Sequence, residues 1–400
     1  MSPLDVEILL PLLHPRQWEV VQSSARFKVV SAGRRFGKSM LGCALLTEAA
    51  GNGKRGWWVS PTYPMSAIAW RELKRLALSV PGVVINESER RLVYPGGGTV
   101  QVKSADSPSG LRGEGLDFLV VDEAAFIEKW AEVWEQALRP TLSDRRGGAL
   151  FISTPRGFNH FSELYQAATG PEWARWQFPT WDNPHIAASE IEAARGMLPA
   201  LVFRQEYGAE FVQMAGAMFR RDYFHIVDTA PGNLEWVRSW DLAVSTKASA
   251  DYTAGARCAL ADDGTLYIGD VLRGRWEWPD ARRIIIETAL SDKCPQGVER
   301  VAFQLAAVQD LLRERTLANT VIRELMPDKD KVARCLPWLA RAEQGKVVLV
   351  RGAWNAAWLD EVCAFPEVAH DDQVDAVSGA MQMLSTPISE PELMPNVFYN

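Results

Sequence analysis

The sequence predicts a two-domain α/β protein, and three observations support that prediction. Residues 1–155 alternate short apolar strands with amphipathic helices, the order of a mostly parallel sheet with helices on both faces. A second series of strands and helices begins near Leu234 and does not repeat the first. The length of 400 residues is also what about two domains require.

The composition is that of a chain able to form hydrophobic cores, and its net negative charge does not attract polyanions. Hydrophobic residues make up 47% and charged residues 23%, as in ordinary soluble globular proteins. No apolar run approaches ~18 residues and no basic segment leads an apolar one at the start, so we expect no membrane span and no secretion signal. The net charge of −7 implies that any nucleic-acid contact is local. The five cysteines lack paired spacing, which argues against disulfides and a zinc site.

The first domain is predicted to cover residues 1–160 and to contain buried strands followed by helices. Strands are expected at 27–31, 56–60, 117–121 and 148–153, with a hairpin at 83–104 that turns at the glycine run after Pro95. Residues 161–230 are richer in Trp, Pro and helical segments. We expect this stretch to form a lid or connector.

A phosphate-binding loop is predicted at residues 32–39, which read Ala-Gly-Arg-Arg-Phe-Gly-Lys-Ser between an apolar strand and a helix. Small residues let backbone N–H groups wrap a phosphate, and the helix N-terminus directs further N–H groups to it. Lys38 would bring charge to the β and γ oxygens, and the Ser39 hydroxyl would reach Mg²⁺. The predicted nucleotide contacts are Ala32, Gly33, Arg34, Arg35, Phe36, Gly37, Lys38 and Ser39.

A second buried strand, Phe-Leu-Val-Val-Asp-Glu at 118–123, ends in two carboxylates. Asp122 is predicted to hold hydrated Mg²⁺, and Glu123 to polarise the attacking water. Arg34 and Arg35 lie inside the loop, where either could reach the γ-phosphate or simply face solvent. The loop and the strand together predict a site that hydrolyses ATP with Mg²⁺.

The second domain is predicted at residues 231–387, followed by a flexible tail at 388–400. A strand at 236–243 and a hairpin at 252–273 precede a helix opened by Pro279, and further elements follow at 298–303, 304–317, 346–350 and 371–385. Three antiparallel strands followed by alternating helices and strands are the order of a ribonuclease H-like fold.

Acidic residues mark this second domain. Asp241 and Glu299 lie in apolar strands, and Asp371, Asp372 and Asp375 begin the last helix. A carboxylate within an apolar strand is costly unless a cation compensates its charge. The set predicts a site for two divalent ions, Mg²⁺ or Mn²⁺, which would hydrolyse a phosphodiester bond.

Other interpretations of the acids stay open from the residues alone. Asp371 and Asp372 are also suited to capping a helix N-terminus and meeting its dipole. Asp375 fits a supporting position behind the ligands, and Glu299 alone fits a solvent-facing strand position. Asp251 begins a strand and fits a turn acid.

The motifs of both halves, taken in order, resemble the large terminase subunits of tailed bacteriophages. These are the motors that pump genomic DNA into procapsids and cut it. The resemblance spans about residues 10–385. It rests on the arginine-bearing loop, Leu-Arg-Gly before Val-Val-Asp-Glu-Ala, Ser-Thr-Pro-Arg-Gly, Trp-Asp-Leu-Ala, Asp-Tyr-Thr-Ala, Val-Glu-Arg-Val-Ala-Phe-Gln and His-Asp-Asp-Gln-Val-Asp-Ala. The first loop position is Ala32, a departure that the family often tolerates.

The resemblance implies roles that the residues alone do not. Thr154, in Ser-Thr-Pro, would couple loss of the γ-phosphate to lid movement, and Gln17 would contact the adenine edge. Arg112, with Arg139 as the weaker candidate, would reach a neighbouring subunit's ATP. Asp241, Glu299 and Asp371 or Asp372 would be the nuclease metal ligands.

The resemblance also implies partners and a setting. These are double-stranded DNA, a small terminase subunit, the portal protein of the procapsid, and a homo-oligomeric ring formed from free monomers in the host bacterial cytoplasm. Two rival interpretations remain from the sequence: a helicase-like DNA repair ATPase and nuclease, and a DNA-binding remodelling ATPase with a silent nuclease domain. A single nucleotide-binding core before residue 230 argues against the helicase.

Overall fold

Two separate sheets organise the described part of the chain, which comprises residues 8–213, 216–243, 252–299, 305–326 and 330–385 of this computed structural model. The eight-stranded sheet belongs to a first unit, formed by the described residues of 1–195 and 201–214. The seven-stranded sheet belongs to a second unit, formed by those of 196–200 and 215–400. No helix in these ranges is both long and apolar enough to cross a membrane.

The elements up to residue 206 alternate strands and helices, as the sequence pattern predicts. In chain order they are α1 (Pro15–Gln22), β1 (Phe27–Ala32), α2 (Lys38–Gly51), β2 (Arg55–Ser60), α3 (Ala67–Ala77), β3 (Val84–Asn86), β4 (Arg91–Val93), β5 (Thr99–Ser104), β6 (Phe118–Asp122), a π-helical segment (Ala131–Leu138) leading into α4 (Arg139–Thr141), β7 (Gly148–Ser153), α5 (His160–Ala167), β8 (Trp173–Phe178), α6 (Ala188–Met197) and α7 (Ala200–Glu206).

The first sheet has the order β3-β4-β5-β2-β6-β7-β1-β8. β5 and the strands that follow it in this order are parallel, and β3 and β4 add an antiparallel edge. Successive residues of one strand enter different cores: Val29 packs in one and Val30 in the other. Both faces of the sheet are therefore covered. β6, β7 and β1 lie side by side, so their carboxyl ends meet at one edge.

The second unit begins with β9 (Phe224–Val227) and continues with three antiparallel strands. The remaining elements are β10 (Trp236–Asp241), β11 (Thr253–Leu260), β12 (Leu266–Gly274), α8 (Trp278–Asp292), β13 (Gln296–Glu299), α9 (Leu305–Leu312), β14 (Ile322–Leu325), α10 (Lys331–Glu343), β15 (Val347–Val350), α11 (Asn355–Val362) and α12 (Asp372–Ser385). The order across the sheet is β14-β13-β10-β11-β12-β15-β9. β13 runs parallel to β10, so their ends also share an edge.

The predicted fold class, a P-loop unit followed by a ribonuclease H-like unit, is confirmed. Most predicted strands agree with the structure to within two residues. The strand predicted at 298–303 is placed at Gln296–Glu299, and residues 300–304 lie outside the described ones. Asp251 and the tail 388–400 also lie outside them.

The predicted connector at 161–230 is divided between the two units. β8 pairs in parallel with β1 along its whole length, from Phe27 opposite Trp173 to Ala32 opposite Phe178, and so extends the first sheet. β9 pairs in parallel with β15 and extends the second sheet. Backbone pairing therefore assigns both of these strands to the sheets that flank the predicted connector.

A buried arginine ties the second sheet together. Arg238, on β10, is 1% exposed and donates to Asp292 at 2.6 Å, Asp270 at 2.8 Å and the Gly255 carbonyl at 2.8 Å. These partners come from α8, β12 and β11. One guanidinium therefore links acceptors from three elements.

Replacing Arg238 with Ala is expected to lower the free energy of unfolding by about 3–5 kcal/mol, because Asp292 would stay partly buried with only its longer ion pair to Arg257, at 3.7 Å. The measurement is the shift of the urea unfolding transition. Arg283→Ala is the matched control, because Arg283 is 59% exposed and its ion pairs within the described residues are with exposed acids on its own helix. The control should lower the free energy of unfolding by less than about 1 kcal/mol. Equal effects of the two changes would contradict this account.

Candidate nucleotide and metal sites

The predicted phosphate-binding loop lies at the shared edge of β1, β6 and β7. Lys38 is buried, and its ammonium donates to the Ala32 carbonyl at 2.8 Å, the Gly33 carbonyl at 3.0 Å and the Thr154 hydroxyl at 3.0 Å. Burial lowers the pKa of Lys38, and the charges of Glu123 and Asp122 act against that shift. The structure thus brings together the loop lysine, the carboxylate strand and Thr154, as the sequence predicts.

Backbone geometry explains the small residues of the loop. Gly37 has φ of 101°, in the left-handed region that glycine adopts without strain. A Cβ on Gly33 would meet the Thr180 hydroxyl and the Tyr207 carbonyl oxygen at 2.5 Å each. α2 begins at Lys38, so the N–H groups of its first turn have no partner within the helix and are available to an anion.

Residues distant in sequence hold the loop from its other side. The Thr180 hydroxyl donates to the Arg34 carbonyl at 2.7 Å, and the Asn183 amide donates to the Arg35 carbonyl at 2.7 Å. The Arg34 N–H donates to the Glu206 carbonyl at 2.7 Å. Sequence analysis missed these loop-bracketing residues, Thr180, Asn183 and Glu206, because the segments that carry them have no motif.

Gln17 and Phe36 stabilise the loop from the core side. Gln17 is 2% exposed; its amide donates to the Gly37 carbonyl at 2.9 Å and accepts from the His14 N–H at 2.9 Å. The Phe36 ring stacks on Phe178 at 5.0 Å and meets His14 edge-on at 4.8 Å. The Phe36 side chain therefore packs in the core, and nucleotide contact by Phe36 as part of the loop stays a prediction. Contact between Gln17 and adenine stays a prediction, since both ends of its amide are bonded here.

The two carboxylates after β6 differ in environment. Asp122 is 5% exposed, and its Oδ1 atom is buried without a hydrogen-bond partner among the described residues. Burial and the neighbouring charge of Glu123 raise the pKa of Asp122 to about 7, while Lys38 acts to lower it. An unsatisfied buried carboxylate oxygen is suited to a hard cation, so Asp122 fits the predicted Mg²⁺ ligand.

Glu123 is held in an uncommon conformation. Its φ of 46° places a non-glycine residue in the left-handed region, which costs of order 1–3 kcal/mol and is found mainly at functional sites. The Ser153 hydroxyl donates to the Glu123 carboxylate at 3.2 Å and also approaches the Thr154 carbonyl at 2.8 Å. This contact links the predicted catalytic carboxylate to the Ser-Thr-Pro segment.

The candidate arginines are placed differently from one another. Arg34 forms an ion pair with the Glu206 carboxylate, although its side chain is 65% exposed. Arg35 has φ of 61° and an exposed side chain. Arg112 follows a turn at Pro108–Leu111, is exposed, and pairs with no acid in the described ranges. Arg139 lies over the Phe27 ring at 5.0 Å, so Arg112 is the better placed for an external ligand.

The acids of the second unit also converge at a sheet edge. Asp241 ends β10 and Glu299 ends the neighbouring parallel strand β13, while Asp372 and Asp375 lie in the first turn of α12. Burial raises the pKa of Asp241 well above its usual range, and the charges of Asp375, Glu299 and Asp372 raise it further. The predicted acids therefore share one electrostatic site.

Two basic residues of α10 enter this site, and sequence analysis did not find them. Lys331 pairs with Asp371 at 2.5 Å and Asp375 at 3.1 Å. Arg334 pairs with Glu299 at 3.0 Å and Asp375 at 2.8 Å. The cost of burying acids signals that some cation is needed, but the sequence does not say which one. Asp375, given a supporting position from the sequence, is the acid that contacts both cations.

These ion pairs change the predicted metal site. Within the described residues, no three Asp, Glu, His or Cys side chains are grouped so that they could hold a metal ion. The carboxylate donor set suits Mg²⁺ or Mn²⁺, but the carboxylates are directed to Lys331 and Arg334 instead. The acids that the sequence singles out therefore lie together, and in this structure side chains compensate their charge.

Comparison with known proteins agrees with the motif order. The family model described as the terminase large subunit, T4likevirus-type, N-terminal, matches residues 29–226. Over this region, the chain is similar to the large terminase subunits. Large terminase subunits of Thermus virus P23-45 and Escherichia phage T5 are 34% and 31% identical to it, over 52% and 51% of the chain. These matches cover 50% and 47% of the relatives, so the chain spans about half the length of the curated relatives it matches.

Solved large terminases share the fold of both halves. The large terminase of a thermophilic bacteriophage matches 94% of this chain and 100% of its own, with a TM-score of 0.65 and 15% identity. A second structure of that protein, in complex with ADP, gives a TM-score of 0.64 at the same identity. At this identity the likeness supports the fold alone.

The pKa of Asp122 generates a pH prediction. Because folding raises this pKa, the protonated acid favours the folded state, and Asp122 lowers the stability of the nucleotide-free protein as pH rises from about 4 to about 7. Binding of Mg²⁺ requires the ionised form. Affinity for Mg·ATP should therefore rise by up to about tenfold per pH unit below pH 7 and level off above it.

Titration calorimetry at several pH values measures this effect. Asp122→Asn is the control, because ATP's own protonation contributes equally to both proteins. The Asp122→Asn variant should bind Mg·ATP more weakly, and its affinity should change with pH only as far as the protonation of ATP itself requires. Parallel pH profiles for the two proteins would remove Asp122 from the metal site.

Proposed function

We propose that this chain is the ATP-driven DNA-packaging subunit of a tailed phage. It would move double-stranded DNA into the procapsid and cut concatemeric genomic DNA. The observation that supports this most is the presence, in one chain, of a loop-and-carboxylate site on the first sheet and an acidic cluster on the second. ATP as the nucleotide is supported by the loop, and by structures of the thermophilic bacteriophage's large terminase with ADP and with ATP-gamma-S.

The residues of the first site divide the work of ATP hydrolysis. Lys38 would exchange its carbonyl contacts for β- and γ-phosphate oxygens, and Glu123 would orient the attacking water. Mg²⁺, held by Asp122 and Ser39, would neutralise the phosphate charge. Thr154 contacts Lys38, and Ser153 contacts Glu123, so release of the γ-phosphate would be sensed at the end of β7.

The second site would perform phosphodiester hydrolysis. Asp241, Glu299 and Asp371 or Asp372 would hold Mg²⁺ or Mn²⁺, which would activate water and stabilise the leaving oxygen. The present ion pairs favour one other function, a packaging ATPase whose nuclease is silent without partners. Cleavage assays with the isolated chain distinguish the two.

Partners and setting follow from the same proposal. Translocation would use contacts with the DNA backbone, which weaken steeply with salt. A small terminase subunit would select the cutting start, and the portal protein would receive a homo-oligomeric ring assembled from monomers in the host cytoplasm. Arg112, exposed and unpaired with described acids, would act on the ATP of a neighbouring subunit.

Separate loss of the two activities tests the proposal. Lys38→Ala should reduce ATP hydrolysis at least ~100-fold, because the phosphate charge loses its cation, while plasmid cutting with Mn²⁺ continues. Asp241→Ala should abolish cutting and leave ATP hydrolysis near that of the parent. Both activities are measured on the same preparations of the whole chain.

Folding of each variant is checked by its unfolding transition. Loss of both activities together in a folded Lys38→Ala protein would contradict the two-site proposal. An absence of cutting by the parent and by Asp241→Ala would favour the silent-nuclease alternative.

A further inference from the structure

α10 places two cations into the acidic cluster of the second unit. Lys331 and Arg334 are three residues apart on the helix, so their side chains leave the same face. Together they make four ion pairs, to Asp371, Asp375 and Glu299, at 2.5 to 3.1 Å. Glu299 is one of the predicted metal ligands, Asp371 is one of two candidates for another, and Asp375 was predicted to support them; the following inference rests on the proposed nuclease.

The two cations are not placed as ordinary surface ion pairs. Arg334 and its partners Glu299 and Asp375 are 14%, 13% and 4% exposed. The Arg334 Nε is buried with no hydrogen-bond partner among the described residues, so the guanidinium is desolvated without being fully satisfied. Lys331, at 52% exposure, also reaches solvent.

We propose that Lys331 and Arg334 close the acidic cluster to divalent ions in the resting protein and move onto DNA phosphates when the ions bind. In the resting state each cation occupies carboxylate oxygens that a metal ion needs. A bound divalent ion would repel both side chains, since like charges this close cannot share the carboxylates. A DNA strand at the site supplies the alternative anions.

Charge balance supports this exchange. The two cations pair with Asp371, Asp375 and Glu299, so removing both without replacement would leave these carboxylates with uncompensated charge. Metal ions would take the place of Lys331 and Arg334 beside the carboxylates. DNA phosphates would take the place of the carboxylates as partners of Lys331 and Arg334. Neither basic side chain is then left unpaired in a partly buried site.

The exchange predicts opposite effects on two ligands. Lys331→Gln and Arg334→Gln should each bind Mn²⁺ about tenfold more tightly than the parent, because a positive charge that repels the ion and competes for the carboxylates is removed. In Ca²⁺, which stands in for the catalytic ion, the same variants should bind duplex DNA more weakly, and the salt slope should fall by about one. A merely structural role would weaken both kinds of binding.

The experiment is calorimetric Mn²⁺ titration without nucleotide, on whole-chain proteins that all carry Asp122→Asn to silence the first site. Arg341→Gln is the matched control, because Arg341 lies on the same helix and, in the part of the chain that the structure describes, donates to the carbonyls of Gly264 and Pro337 rather than to an acid. The part of the Mn²⁺ binding that is lost in Asp241→Asn is assigned to the acidic cluster. If Arg334→Gln does not fold, the test uses Lys331→Gln, because the Lys331 side chain is half exposed.

The outcomes separate this inference from the proposed nuclease. Tighter Mn²⁺ binding and weaker DNA binding in the variants, with Arg341→Gln unchanged, supports the exchange. Asp241-dependent binding by the parent that is equal or weaker in both variants overturns the exchange alone. Absence of Mn²⁺ binding in the parent and in both variants overturns the exchange and the proposed nuclease together.

Discussion

Both units depend on compensating the charge of carboxylates that end buried strands. Asp122 ends β6 in the first sheet; Asp241 and Glu299 end β10 and β13 in the second. Each acid lies where parallel strands bring several chain segments together, and burial penalises its charge. Lys38 reduces that penalty in the first unit, and Lys331 and Arg334 reduce it in the second. A cation is therefore needed at each edge, which makes both edges suited to metal ions and phosphates.

The nucleotide edge is held by contacts from several directions, and this accounts for its strained backbone. Gln17 fixes the loop at Gly37, while Thr180 and Asn183 fix it at the preceding carbonyls. Glu123 keeps a left-handed conformation beside Ser153. Strain of this kind persists only when surrounding contacts determine it. The loop is thus preorganised for phosphate before any ligand binds.

The sequence predicted what local pattern and chemistry determine, and missed what tertiary pairing selects. The loop, the Asp122 strand, the hairpins and the acids of the second unit all carry short-range signals. β8 was not predicted because its residues, Trp-Ala-Arg-Trp-Gln-Phe, form an edge strand within a Trp- and Pro-rich stretch. Asn183 and Arg334 acquire their roles from partners 148 and 35 residues away, for which no motif exists. Phe36 lies in the predicted loop, and its motif position alone does not reveal that its side chain packs against Phe178 and His14.

The most direct test of this account is anomalous diffraction from crystals soaked with Mn²⁺ and a non-hydrolysable ATP analogue. The account predicts one set of peaks beside Asp122 and Ser39, and a second among Asp241, Glu299 and the acids of α12. Lys331 and Arg334 should have left the carboxylates that the second set contacts. Density at Asp122 alone, with all four ion pairs of α10 intact at saturating Mn²⁺, would contradict the claim that both edges are cation sites.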